Sequence, residues 1–193
     1  MNKLKRYFNA VIKQAFQKDG AENQDMNAIT AKEKQSIFIK SYLKPVLKQQ
    51  GYLINGRTWS RDQGDFFIIV NLQNFSWNTK NDVTFCFNIG IGLKSLMKDP
   101  SELPKYADLT IFVRDVAYLS DSRKSSMYKN QTGYIMQEDT SIDNFIEEFK
   151  IDFEGHLFPT LAKLVTLNDC VEYYQRFPFW GDRLKQIITT ENR

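Results

Sequence analysis

The sequence predicts an α+β fold: a mostly antiparallel, four- to five-stranded meander sheet packed by N- and C-terminal helices. Three observations predict it. From Val83 to Leu93 every odd position is large and apolar, and every even position is small or polar, the period of two that a half-buried strand requires. Before residue 51 and after residue 141, apolar residues recur at spacings of three and four, the period of helices with one buried face. Between these regions, strand-like runs follow one another across short Gly- and Asp-containing turns, the spacing of a meander.

Taken in order, residues 1–20 predict a basic amphipathic helix, with Leu4, Phe8, Val11, Ile12 and Ala15 on one side. Residues 19–28 are small and polar and predict a linker, so this part is expected to lie at the periphery of a single domain spanning 1–193. Thr30 with Glu33 predicts a capping box, in which each side chain satisfies a backbone N–H of the other residue. Ile37, Phe38, Tyr42, Leu43, Val46 and Leu47 continue that helix, Gly51 ends it in a left-handed cap, and Pro45 predicts a kink at Lys44.

Tyr52–Arg61 reads as one short strand with a bend at Asn55-Gly56, followed by Phe66–Phe75, Val83–Leu93 and Leu109–Leu119. The Ser- and Lys-rich stretch 120–132 predicts a mobile loop before a last short strand at 133–137. Ser141 predicts the cap of a helix carrying Ile142, Phe145, Phe149 and Phe153, broken by Gly155 and Pro159 before Leu161. Asp169 predicts the cap of a helix through Tyr173 and Tyr174, and 181–188 a short final helix.

Composition bounds the function. An apolar fraction of 42% and a charged fraction of 25% belong to a chain that folds rather than to a disordered one. No run approaches the roughly 18 apolar residues of a membrane span, and Asn9, Lys13 and Gln14 interrupt any signal-peptide core. Cys86 and Cys170 lack CxxC spacing, so a reducing, cytoplasmic setting is expected. Residues 1–50 hold 10 Lys/Arg against 4 Asp/Glu, whereas 138–172 hold 9 acids against Lys150 and Lys163. Solvated helix faces account for that asymmetry more simply than a nucleic-acid surface does.

Several stretches carry a resemblance: Leu47-Lys48 with Gly51-Tyr52, then Gly56-Arg57-Thr58-Trp59-Ser60-Arg61, Val70-Asn71-Leu72-Gln73, and Phe85 through Ile91. Arg114 and Leu157-Phe158-Pro159 match more weakly. Over about residues 35–175 the chain resembles an uncharacterised bacterial family, domain of unknown function 4304, with Trp59 where a Phe is expected. The resemblance implies an α+β domain and supplies no activity, ligand or catalytic residue.

Chemistry-bearing patterns are sparse. His156 is the single histidine, so any histidine-based triad or metal site would have to use it. Gly90-Ile91-Gly92 lacks the helix start of a phosphate loop, and glycine inside a strand predicts a close approach by another element. Glu148-Phe149-Lys150 imitates the tail of a nuclease signature but falls on a predicted helix. The face left for function is the even one: Asn71, Gln73 and Asn88 would lie together if the second and third strands pair. Arg57, Arg61 and Arg114 would add positive charge there, and Trp59 a stacking ring. A solvated or helix-covered face explains the same pattern.

The expectation is therefore a non-catalytic cytoplasmic binding or interaction protein. The alternative is an enzyme or binder of a small polar or phosphorylated ligand at that polar sheet face. The third is nucleic-acid binding through the basic N-terminal helices. No cofactor, metal or membrane is expected, a protein partner is favoured over nucleic acid, and the oligomeric state is left open.

Overall fold

The computed structural model describes residues 29–191; the expected first helix and its linker lie outside them. Thr30 caps α1 (Ala31–Phe38) with the reciprocal bonds of a capping box, its own N–H donating to Glu33 Oε2 at 2.9 Å. The helix does not break at Pro45. Lys44 stays helical, at φ −61° and ψ −48°, and the chain runs through a π turn, Ile39–Leu43, into α2 (Lys44–Gln49). The same device recurs later: α3 (Ile142–Asp152) continues through a π turn, Phe153–Leu157, into α4 (Phe158–Leu161), with Pro159 in its first turn. In both cases the wider turn sits just before the X-Pro step. It displaces the carbonyls that the proline ring would strike, and the missing N–H falls at the seam. The expected kink at Lys44 and break at Gly155 are thus replaced by two proline-bearing π seams.

Gly51, at φ +83°, closes α2. Tyr52 N–H donates to Leu47 O and Gly51 N–H to Lys48 O, both at 3.0 Å, the Schellman arrangement. The expected first strand is a hairpin instead. β1 (Leu53–Asn55) and β2 (Thr58–Asp62) pair with Asn55 opposite Thr58. Gly56, at φ +62°, supplies the left-handed residue of the two-residue turn, as the favoured hairpin turns require. β3 (Phe66–Asn74) and β4 (Asp82–Leu93) follow, paired over nine positions.

The expected strand 109–119 is real only as β5 (Ile111–Arg114); a 3₁₀ turn, Asp115–Tyr118, ends it and turns the Asp115 side chain inward. The sheet is antiparallel and six-stranded, ordered β1-β2-β3-β4-β5. The last strand, β6 (Tyr134–Gln137), returns to β4 on the same side as β5. β6 covers Asp82–Phe85 of β4 and β5 covers Asn88–Ile91, leaving a gap at Cys86 and Phe87. Stretch 120–132 is anchored rather than free: Arg123 bonds Glu148 and Asp152, and Lys129 is buried.

The odd face of β4 meets the helices, as the alternation predicts. Phe85 and Phe87 are fully buried against Phe38, Phe145, Phe149 and Phe153. The Phe149 ring lies 4.7 Å from Phe38, edge to face, and 4.0 Å from Phe153, stacked. Offset and edge-to-face rings are favoured geometries beyond the area they bury. Past the sheet, Thr166 rather than Asp169 is the N-cap of α5 (Leu167–Tyr174), with Asp169 completing its capping box. α6 (Pro178–Glu191) is longer than expected. The sheet and the helices from both ends together form an α+β fold.

Candidate functional site

Strand register brings four of the seven candidate residues together. Asn71 stands opposite Asn88, and Asn88 opposite Arg114; Gln73 is two residues along on the same face. Their amides are engaged within the sheet. Asn88 Nδ2 donates to Gln73 Oε1 at 2.8 Å, and Asn71 Nδ2 donates to Thr58 Oγ1 at 3.0 Å. Asn71 and Asn88 are buried, so this ladder stabilises the sheet at positions where an unpaired amide would be costly.

The other three go elsewhere. Trp59 pairs with Val70 and Arg61 with Ile68, which puts both on the opposite, helix-packed face; Trp59 is only 2% exposed. Arg61 donates to Leu161 O at 3.0 Å and Gln50 O at 3.4 Å, and lies 5.2 Å over the Tyr52 ring. It thereby joins the C-terminal carbonyls of two helices, where the helix dipole favours a cation. Arg57 sits in the exposed β1–β2 turn, and its carbonyl accepts from Leu72 N–H at 2.9 Å.

The glycines of β4 show what lies over the even face. A Cβ on Gly90 would strike the Ile111 carbonyl oxygen and stand 2.7 Å from Phe112 Cα; one on Gly92 would meet Asp108 O at 2.6 Å. The chain's own backbone, residues 108–112, crosses these two positions, the close approach that glycine in a strand predicts. The part that stays open is the rim. Arg114 reaches across β4 and holds its guanidinium 5.5 Å from the Phe75 ring centroid. Phe75 in turn stacks on Trp77 at 4.5 Å and 12°. Trp77 is 61% exposed, and Arg114 is exposed as well. Arg114, Phe75 and Trp77 thus form a cation–aromatic row at one end of the polar face.

A buried charged centre escaped sequence reasoning. Asp115 Oδ1 accepts from Phe87 N–H at 3.0 Å, filling the donor left orphaned between β5 and β6. Its other oxygen is ion-paired with Lys129, whose ammonium is wholly buried 3.6 Å from the Tyr134 ring centroid. Nearby, Tyr134 Oη donates to Asp152 Oδ2 at 2.8 Å, Arg123 Nε donates to Asp152 Oδ1 at 2.8 Å, and Arg123 also pairs with Glu148. Burial pushes the Tyr134 hydroxyl well above its ordinary pKa, with the Asp115 and Asp152 charges adding to it. These groups are paired with one another and hold the sheet edge together.

The two thiols are equally committed to the interior. Burial, then the Asp115 charge, pushes Cys86 from 9.0 up to about 11, and burial pushes Cys170 up to about 12. A thiol needs its thiolate to react. The native chain should therefore resist a maleimide at pH 8 and label fully only once unfolded; rapid labelling of the folded chain would contradict this burial. Because these folded-state values are raised, the stability they contribute is complete below pH 9. It is lost as the pH climbs from 9 toward 11 and 12, since the unfolded chain ionises first.

Among the described residues no group of His, Cys, Asp and Glu is placed to hold a metal, and no helix is long and apolar enough to cross a membrane. No curated protein and no solved structure matches the chain. One family model does: it is described as a domain of unknown function (DUF4304), and it matches residues 43–163. That span runs from the π turn before α2 through all six strands to the end of α4. It is well over half of the chain, so the chain belongs to this family.

Proposed function

We propose that the chain is a non-catalytic, cytoplasmic binding protein that docks a protein partner on the row formed by Arg114, Phe75 and Trp77. The observation that carries this reading is Trp77, more than half exposed yet stacked against Phe75. A stacked indole contributes contact area with little entropy left to lose, and Trp and Arg are the residues around which binding energy concentrates. The matching partner surface presents an apolar or aromatic side chain to Trp77 and a carboxylate to Arg114. The mutual pairing of Asp115 with Lys129 and of Asp152 with Tyr134 and Arg123, together with the protonated thiols, supports a non-catalytic role, and two unpaired cysteines suit a reducing compartment.

The test is affinity capture from native lysate with the natural chain and with Trp77→Ala/Arg114→Ala, followed by titration of the captured partner. Both positions are exposed, so the variant should melt within a few degrees of the natural chain. It should bind at least about thirtyfold more weakly, as loss of a hot-spot residue does. A partner that binds both chains equally would sink the proposal. The alternative, a small polar or phosphorylated ligand on the amide ladder, has less support because Asn71 already donates to Thr58 and Asn88 to Gln73.

A further inference from the structure

The described chain starts close to the row of Arg114, Phe75 and Trp77, and residues 1–28 precede it. The first turn of α1 is tied to two loops at that end of the sheet. Lys32 N–H donates to Lys80 O at 3.0 Å, in the turn that carries Trp77. Lys34 Nζ donates to Thr140 O at 2.8 Å and also to Glu138 O. From that point residues 19–28, fully extended, span up to about 35 Å. That is enough to pass around the β3–β4 turn onto the polar face.

What lies there is an apolar strip with an acidic rim. Phe75 N–H donates to Thr84 O at 3.3 Å, and Ile135 pairs with Thr84 from the other side. Phe75 and Ile135 therefore share one face across three strands, with Trp77 stacked on Phe75. Trp77 is exposed, and Phe75 and Ile135 are half-buried. The strip spans two strand spacings, about 10 Å. Asp82 is two residues from Thr84 on the same face and stands opposite Gln137, which Glu138 and Asp139 follow. All three carboxylates are exposed. Among the described residues none of them takes part in an ion pair, and neither do Lys80 and Arg114.

The sequence of residues 1–28 complements this surface. In the amphipathic helix it predicts, Phe8, Val11, Ile12 and Ala15 make one apolar side, about 10 Å long. Residues 1–18 carry Lys3, Lys5, Arg6, Lys13 and Lys18 and no acid, whereas 19–28 carry Asp19, Glu22 and Asp25 and no base. We infer that this segment docks across Trp77, Phe75 and Ile135 of its own chain. Its apolar side covers the strip, its lysines face Asp82, Glu138 and Asp139, and its acidic stretch passes Lys80 and Arg114. A tether this short gives an effective concentration on the order of 1 mM, which favours the segment's own chain over a second copy. The segment thereby occupies the surface proposed above for a protein partner, and the partner must displace it to bind. That regulatory part rests on the partner reading; the docking itself does not.

Zero-length carbodiimide cross-linking of the purified full chain tests the docking, mapped by mass spectrometry on a mixture of unlabelled and isotopically labelled protein. Cross-links should join Lys3, Lys5, Lys13 or Lys18 to Asp82, Glu138 or Asp139 within one chain. Phe8→Ala/Ile12→Ala keeps the tether, the charges and the helix propensity but removes the apolar contact. It should reduce those cross-links at least about fivefold, without moving the thermal midpoint by more than a few degrees. Trp77→Ala should do the same from the other side. Cross-links that persist in Phe8→Ala/Ile12→Ala would report mere proximity and overturn the docking. So would their absence in the natural chain, or a predominance of links between differently labelled chains, the mark of a second copy. Toward the partner captured from lysate, Phe8→Ala/Ile12→Ala should bind at least about threefold more tightly; equal affinity would overturn the displacement. A lysate that yields no partner removes the partner reading alone, because the cross-links are read on the purified chain.

Discussion

Lys129→Met is expected to destabilise the fold by about 3–5 kcal/mol, the cost of leaving a buried charge without its partner. In the native chain the ammonium of Lys129 is wholly buried against Asp115, itself 2% exposed, and among the described residues Asp115 makes no other ion pair. Methionine fills a similar volume, so the effect reports charge rather than a cavity. Asp115 cannot simply be dispensed with, because its Oδ1 satisfies Phe87 N–H in the gap between β5 and β6. The double variant Lys129→Met/Asp115→Asn should therefore recover more than half of the loss, since asparagine keeps the acceptor and drops the charge. Lys129→Met/Asp115→Leu should recover less, because the Phe87 N–H is left unpaired. Urea unfolding midpoints measure all three, and a double variant no more stable than Lys129→Met would refute the charge account.

Gly90→Ala is expected to cost about 3 kcal/mol or more, at or beyond the upper end for overpacking a core. The added methyl would strike backbone, the Ile111 carbonyl and Phe112 Cα, rather than a side chain that can rotate away. Relief requires β5 to separate from β4 at the edge of the sheet. The same substitution at Gly155 has the opposite expected sign. Gly155 lies in the second π turn with nothing within 4 Å of its Cβ position, and alanine there should stabilise by about 0.5–1 kcal/mol through helix propensity. Thermal unfolding of the two variants side by side separates steric closure from propensity. Equal midpoints would contradict the backbone contact at Gly90.

What was legible in the candidate site follows the same division. Pairing of Asn71, Gln73, Asn88 and Arg114 on one face could be read from alternation once β3 and β4 were placed. Assigning Trp59 and Arg61 to that face could not. The hairpin turn at Gly56-Arg57 and the pairing of Trp59 with Val70 set their parity, and a one-residue difference in register moves a side chain to the other face of a sheet. Trp77 stood in the turn after the second strand with no periodicity to mark it. Its importance comes from the ring stacked beneath it and the arginine arriving from β5.

By itself the sequence determined what depends on neighbours along the chain: the α+β class, the alternation of β4, the Thr30–Glu33 capping box and the Gly51 cap. Hydrogen bonds over three or four residues and side-chain parity carry these, and both are written locally. Tertiary structure alone decided how β5 and β6 divide the edge of β4, where Asp115 and Lys129 meet, and that the chain's own backbone covers Gly90 and Gly92. Lys129 is fourteen residues from Asp115, and Asp108 sixteen from Gly92. No local preference encodes such meetings. They arise because an orphan N–H, a buried charge or a bare glycine is stable only when a distant part of the chain arrives to satisfy or cover it.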